Sequence, residues 1–140
     1  MPTIFTRIIG GEIPGHFVWR DEHAVGFLSI NPLRPGHTLV VPRQEVDHWI
    51  DLDDTLAAHL FTVARSVGQA QERAFKPARI GMAILGMEVP HVHLHLVPIQ
   101  RESDMHFSNA DPHPDADGLD RAAEQIRAAL RELGYGGVAE

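Results

Sequence analysis

The chain has 140 residues, 44% of them hydrophobic, enough for one domain to bury a core unaided. It contains no cysteine, which excludes disulfides, thiolate zinc sites and a cysteine nucleophile. The formal net charge of −7 opposes a long polyanion such as duplex DNA, but leaves open a small anionic ligand held by local donors.

Residues 1–7 lack a basic segment followed by an apolar run, and no stretch approaches the roughly 20 apolar residues of a membrane span. With cysteine also absent, the expectation is a cytoplasmic protein with no membrane or nucleic-acid partner. Apolar residues at 4, 5, 8 and 9 predict a short helix that stops at Gly10-Gly11. Residues 16–20 and 24–30 read as strands around a turn at 21–23. Two prolines and a glycine make 31–36 a loop, and 37–41 a third strand closed by Pro42.

After a connection containing Trp49 and Ile50, residues 53–75 carry a helical pattern. Leu56, Leu60, Val63, Val67 and Ala70 recur at three and four residues, and aspartates at 51, 53 and 54 suit its N-terminal end. Lys76-Pro77 ends it; 79–85 is a fourth strand, 86–90 a loop and 91–98 a fifth strand. Residues 100–117 are polar, carry Pro112 and Pro114, and read as an irregular loop. The aspartate-rich part, 111–120, is a solvated loop and helix start, with folding over a neighbouring site as the alternative. Residues 118–134 form a C-terminal helix with Leu119, Ala123, Ile126, Leu130 and Leu133 in register and Gly134 as its cap. The order β-β-β-α-β-β-α with short joins predicts an α+β fold, an antiparallel sheet with helices packed on it, in one domain spanning 1–140.

The informative stretch is 91–98. Histidine and aliphatic residues alternate there, so His91, His93 and His95 are expected on one face of a strand, with Val92, Leu94 and Leu96 on the other. Residues two apart lie about 6.5–7 Å apart along a strand, within reach of one phosphate chain. A neutral imidazole is a nucleophile and an imidazolium an acid, and neighbouring rings disfavour being charged together. One ring can therefore attack while another carries a proton. His37, opening a strand directly after Pro35-Gly36, is a candidate fourth member; the alternative is that it only caps the loop. His16, His23, His48, His59, His106 and His113 have no pattern around them and read as surface or helix-face residues.

The segment 36–42 (Gly-His-Thr-Leu-Val-Val-Pro), preceded by Ile30-Asn31-Pro32, together with His91-Val92-His93-Leu94-His95-Leu96-Val97, resembles the histidine-triad (HIT) family of nucleotide hydrolases and transferases. The likeness runs from about residue 4 to residue 99. It implies a five-stranded antiparallel sheet with a long central helix, in a homodimer that joins two sheets. It also implies that His93 attacks the α-phosphorus of a nucleotide ester, anhydride or phosphoramidate, forming a nucleotidyl-histidine that water resolves, with no cofactor or metal required. His95 and His37 would contact the phosphate and handle the leaving-group proton, and His91 would fix the orientation and tautomer of the nucleophile. The implied ligand is a purine nucleotide or nucleotide conjugate.

The same resemblance makes Ile8, Ile30, Ser29 and Glu88 the candidate nucleotide-binding residues. Ile8 and Ile30 would belong to the base pocket, whereas Ile4, Phe5 and Phe27 read as ordinary core. Ser29 stands where many members have an acid that accepts the ribose hydroxyls. Glu88 follows Met87 where many members have a Gly-Gln-Ser/Thr segment; Met87 is no amide donor, and an ionised Glu88 aimed at a phosphate would repel it. Thr3 and Thr6 stand in place of the Cys-x-x-Cys of zinc-containing members. Two alternatives follow: a nucleotide-binding module with little or no catalysis, and a metal-binding protein using His91, His93 or His95 with Glu88.

Overall fold

A computed structural model describes residues 1–140. Its elements are α1 (Ile4–Ile9), β1 (Phe17–Arg20), β2 (Ala24–Leu28), β3 (Thr38–Pro42), α2 (Asp54–Phe75), β4 (Arg79–Ala83), β5 (Leu94–Ile99) and α3 (Ala116–Glu132). The five strands form one antiparallel sheet in the order β1-β2-β3-β5-β4, so the fold is α+β. No helix is long and apolar enough to cross a membrane.

Both faces of the sheet are covered, because the strands are apolar on both sides rather than alternating. The larger core places Leu60, Val63 and Val67 of α2 and Ile126 and Leu130 of α3 against Val18, Val40, Leu94 and Leu96. On the opposite face, Phe5 and Ile8 of α1 pack on Val25, Phe27, Leu39 and Val41. Helix α2 starts at an Asp53 cap whose carboxylate accepts from Leu56 N–H at 2.8 Å, and ends where Lys76 turns left-handed (φ 49°) before Pro77. Helix α3 begins two residues before the expected 118 and is closed one residue earlier than expected. Leu133 is its C-cap, and Gly134 follows in the left-handed region at φ +85°.

Two contacts link the helical layer to the sheet ends that matter below. The buried Gln71 amide of α2 donates to Gly36 O (2.9 Å) and Leu96 O (3.0 Å), bridging the loop before β3 to β5; its Oε1 has no protein partner. Gly36 sits at φ +90°, and a Cβ there would stand 2.4 Å from the Phe75 ring. Only glycine satisfies both the backbone and the close approach of α2. Gly36→Ala is expected to destabilise the fold by about 3 kcal/mol through combined strain and overlap. Urea unfolding followed by tryptophan fluorescence measures this; a loss within experimental scatter would contradict it.

Candidate active site

His95 lies in β5 between two paired strands, opposite Leu39 on one side and Ala83 on the other. It therefore shares a face with Leu39, the side of the sheet that α1 covers. The residues before it depart from expectation. The ladder begins at Leu94, so His91, Val92 and His93 lie outside the strand expected over 91–98. The physical reason is Pro42, which has no N–H with which to extend the β3–β5 pairing. Val92 N–H instead donates to Val46 O at 2.8 Å.

The row of three imidazoles is correspondingly divided. His93 and His95 stay together, ring centroids 4.9 Å apart, and both line a cleft with His37. His91 is fully buried and turned away from that cleft. One ring nitrogen meets Pro42 O at 2.7 Å and the other Thr3 Oγ1 at 2.6 Å.

The backbone determines the proton position on each ring. Leu33 N–H donates to His37 Nδ1 at 3.0 Å, so neutral His37 carries its proton on Nε2. That proton is given to His95 Nδ1 at 3.0 Å, so neutral His95 is an Nε2–H donor. His93 Nδ1 lies 2.8 Å from His91 O; a carbonyl only accepts, so Nδ1 is protonated and Nε2 holds a free lone pair. Neither His93 Nε2 nor His95 Nε2 has a protein partner. The cleft is thus offered one nucleophilic nitrogen and, on the neighbouring ring, one N–H donor.

Burial keeps all four rings neutral near pH 7. Desolvation lowers His37 to about 4. It lowers His95 to about 3, helped by repulsion from His37 and His93. His93 is lowered by desolvation against the opposing pull of the His91 carbonyl and the Glu88 charge. His91 is also lowered by desolvation, opposed by the Pro42 carbonyl and Glu45.

The cleft has a volume of about 700 Å³. Ile8, Ile30, Ser29 and Glu88 all line it. Ile8 is both core and wall, at 8% exposure, whereas Ile30 is 62% exposed at the rim. Ser29 Oγ already accepts from Asn31 N–H at 3.3 Å. Strand β2 stops at Leu28, two residues short of the expected 30, which frees Ser29 and Ile30 to line the site. Phe5 and Phe27, read from the sequence as core, are buried and also form part of the floor.

The outer wall comes from 100–117: Pro112 belongs to the stretch 111–120 for which folding over a neighbouring site was the alternative, whereas Phe107 and Ala110 were not among the expected site residues. Phe107 stands edge-on to His95 at 4.8 Å, and Ala110 and Pro112 lie beside it. The segment 100–117 contains two short 3-10 turns and is tied across by Asn31 Nδ2 donating to Asp111 O and Asp111 N–H to Pro32 O. Its sequence signal was a lone phenylalanine in a polar run.

The residues present do not suit a metal ion. No three His, Asp or Glu side chains converge with ligand geometry. Both His91 nitrogens are engaged, and the Thr3 and Thr6 hydroxyls are neutral groups already hydrogen-bonded. A zinc held by His91 with Thr3 and Thr6 would have to displace all of these bonds in exchange for poor ligands.

The HIT domain family model matches residues 10–102. An uncharacterised HIT-like protein of Methanocaldococcus jannaschii is 39% identical over 99 residues, covering 68% of this chain and 77% of that protein. The asymmetrical bis(5'-nucleosyl)-tetraphosphatase of Schizosaccharomyces pombe is 31% identical over 102 residues, covering 66% of this chain and 56% of the enzyme. Among solved structures, a Zn-bound histidine triad family protein from Mycobacterium smegmatis superposes with a TM-score of 0.80 at 27% identity, covering 93% of this chain and 94% of that one.

The depressed imidazoles carry a stability signature. Their folded values lie below the ordinary 6.5, so between pH 6.5 and about 4 the unfolded chain binds more protons than the folded one. Their contribution to stability is complete above pH 6.5 and is lost as the pH falls through this window. Urea midpoints should decline from pH 7 to pH 4.5, and less steeply in His95→Asn. Identical slopes in the two proteins would contradict the assignment.

Proposed function

Because the chain belongs to the histidine-triad (HIT) family, we propose that it is a nucleotide hydrolase or nucleotidyl transferase working through a nucleotidyl-histidine. The observation that carries this reading is the pairing of a free His93 Nε2 lone pair with the His95 Nε2–H donor on one cleft wall.

In this reading His93 Nε2 attacks the α-phosphorus, the N–P bond forms, and the bond to the leaving atom breaks with its electron pair. The His95 Nε2–H donates to the leaving atom as charge develops on it, and solvent supplies the proton that atom takes as it departs. Water then attacks phosphorus, its surplus proton returns to solvent, the N–P bond breaks and His93 regains its lone pair. The His91 carbonyl keeps Nδ1 protonated and Nε2 aimed at phosphorus. Donors already in place as charge shifts to the phosphoryl oxygens supply the main catalytic term.

The walls favour a phosphoryl centre of low charge. No lysine or arginine lines the cleft, and its one ionisable acid is Glu88. The S. pombe relative is named for a tetraphosphate substrate. Here an ester or phosphoramidate of a purine nucleoside monophosphate suits the charge balance better than a polyphosphate. Ile8 and Ile30 would bracket the base, and Ser29 would offer the ribose a hydroxyl where an acid is usual.

His93→Ala should lower turnover of adenosine phosphoramidate by at least about 10³-fold while binding adenosine monophosphate with affinity close to that of the wild type. Equal turnover in the two proteins would sink the nucleophile assignment. Adenosine monophosphate binding with no turnover of any ester, anhydride or phosphoramidate by the wild type would leave a binding module instead.

A homodimer is part of the same proposal. Strand β4 is a sheet edge, and Met82 on it stands beside a shallow groove formed with Ala64 and Gly68 of α2, near the half-exposed Phe61. An open sheet edge with Met82 and Phe61 exposed, beside a groove that also carries Arg65, Glu72 and Arg79, invites a second copy. Sedimentation should give twice the 15.5 kDa chain mass for the wild type and a monomer for Met82→Arg; a monomeric wild type would refute the interface.

A further inference from the structure

A second hydrogen-bonded cluster lies behind His91, outside the cleft. Thr3 is the N-cap of α1, its Oγ1 accepting from Thr6 N–H at 3.1 Å. The same oxygen lies 2.6 Å from His91 Nδ1. Since His91 Nε2 must donate to Pro42 O, its Nδ1 is an acceptor, and the single Thr3 hydroxyl proton goes to it. Glu45, in the connection after β3, accepts through one oxygen from Thr3 N–H at 2.8 Å and from Thr6 Oγ1 at 2.5 Å. The hydroxyl–hydroxyl contact at 3.3 Å is the weak link, both protons being used elsewhere.

This cluster joins three segments that no sheet bond joins. Residues 91–93 precede the β5 ladder, yet the His91 carbonyl orients His93. Free rotation of that peptide would move the lone pair of His93 out of line. Resting on the nucleotidyl-transfer reading for its kinetic consequence, we infer that Thr3, Thr6 and Glu45 are positioning residues for His93, acting through the ring and carbonyl of His91. The clamp performs with hydrogen bonds, across sequence separations of 42 and 88 residues, what pairing would perform inside a strand. Its chemistry demands a hydroxyl at position 3 and a carbonyl-type acceptor at position 45; it does not demand the charge.

Steady-state kinetics with adenosine phosphoramidate test it. Thr3→Val and Glu45→Ala should each lower kcat by about tenfold with KM changed by less than about twofold. Thr3→Ser and Glu45→Gln restore the hydroxyl and the acceptor, and should stay within about threefold of the wild-type kcat. Unchanged kcat in the first pair, or an equal loss in the second, overturns the inference; Glu45→Ala, a surface change, keeps the test valid should Thr3→Val fold poorly. Ring-nitrogen NMR shifts separate its failure from that of the parent reading. Even in a chain that turns nothing over, His93 should be a single Nδ1–H tautomer in the wild type and a mixture in Thr3→Val and Glu45→Ala. A His93 tautomer indifferent to both substitutions overturns the clamp.

Discussion

The arrangement depends on one constraint: the proton on each of the four imidazoles is located, directly or through one neighbouring ring, by a peptide group that cannot exchange roles. A peptide N–H only donates and a peptide carbonyl only accepts. Leu33 N–H and the His91 and Pro42 carbonyls therefore fix three rings directly, and the fourth follows from its contact with His37. Rings kept neutral by burial would otherwise sample two tautomers each. The fold removes that degeneracy with backbone groups and one neighbouring ring, using no charged side chain for it.

This explains the scaffold around the site. The determining backbone groups lie in the loop before β3, at the last residue of β3, whose carbonyl is free of the β3–β5 ladder, and in the segment before β5. Inside a ladder those amides and carbonyls would be committed to neighbouring strands. The sheet supplies a rigid floor, and the ends of its strands supply the unpaired groups that set the chemistry. Proline contributes by subtraction, since Pro42 stops the pairing and leaves its carbonyl for His91.

Much of this was legible in the chain. Alternation over 91–98 and the Pro-Gly-His turn identified four histidines, and the structure groups three of them on the cleft. The same alternation could not separate His91 from its neighbours. Its environment is made by Pro42 and Thr3, distant in sequence, and periodicity carries no information about partners so far away. Glu45 was silent for the same reason: an exposed glutamate in a connection has no local signature. Phe107 was hidden because the course of 100–117 depends on a tie to Asn31, a tertiary contact that local propensity does not encode. The expected strands run too far at the ends of β2 and β4, where Ser29, Ile30 and Leu85 leave the ladder to line the cleft, and at the start of β5, where residues 91–93 precede the ladder.

The Gln71 amide has a mechanical consequence. With one hydrogen on the loop that bears His37 and the other on the strand that bears His95, it makes those two rings ride on the same helix. A displacement of that helix is therefore shared by both rings, whereas the opposite wall is fastened elsewhere, through Asn31 Nδ2 to Asp111 O and Asp111 N–H to Pro32 O.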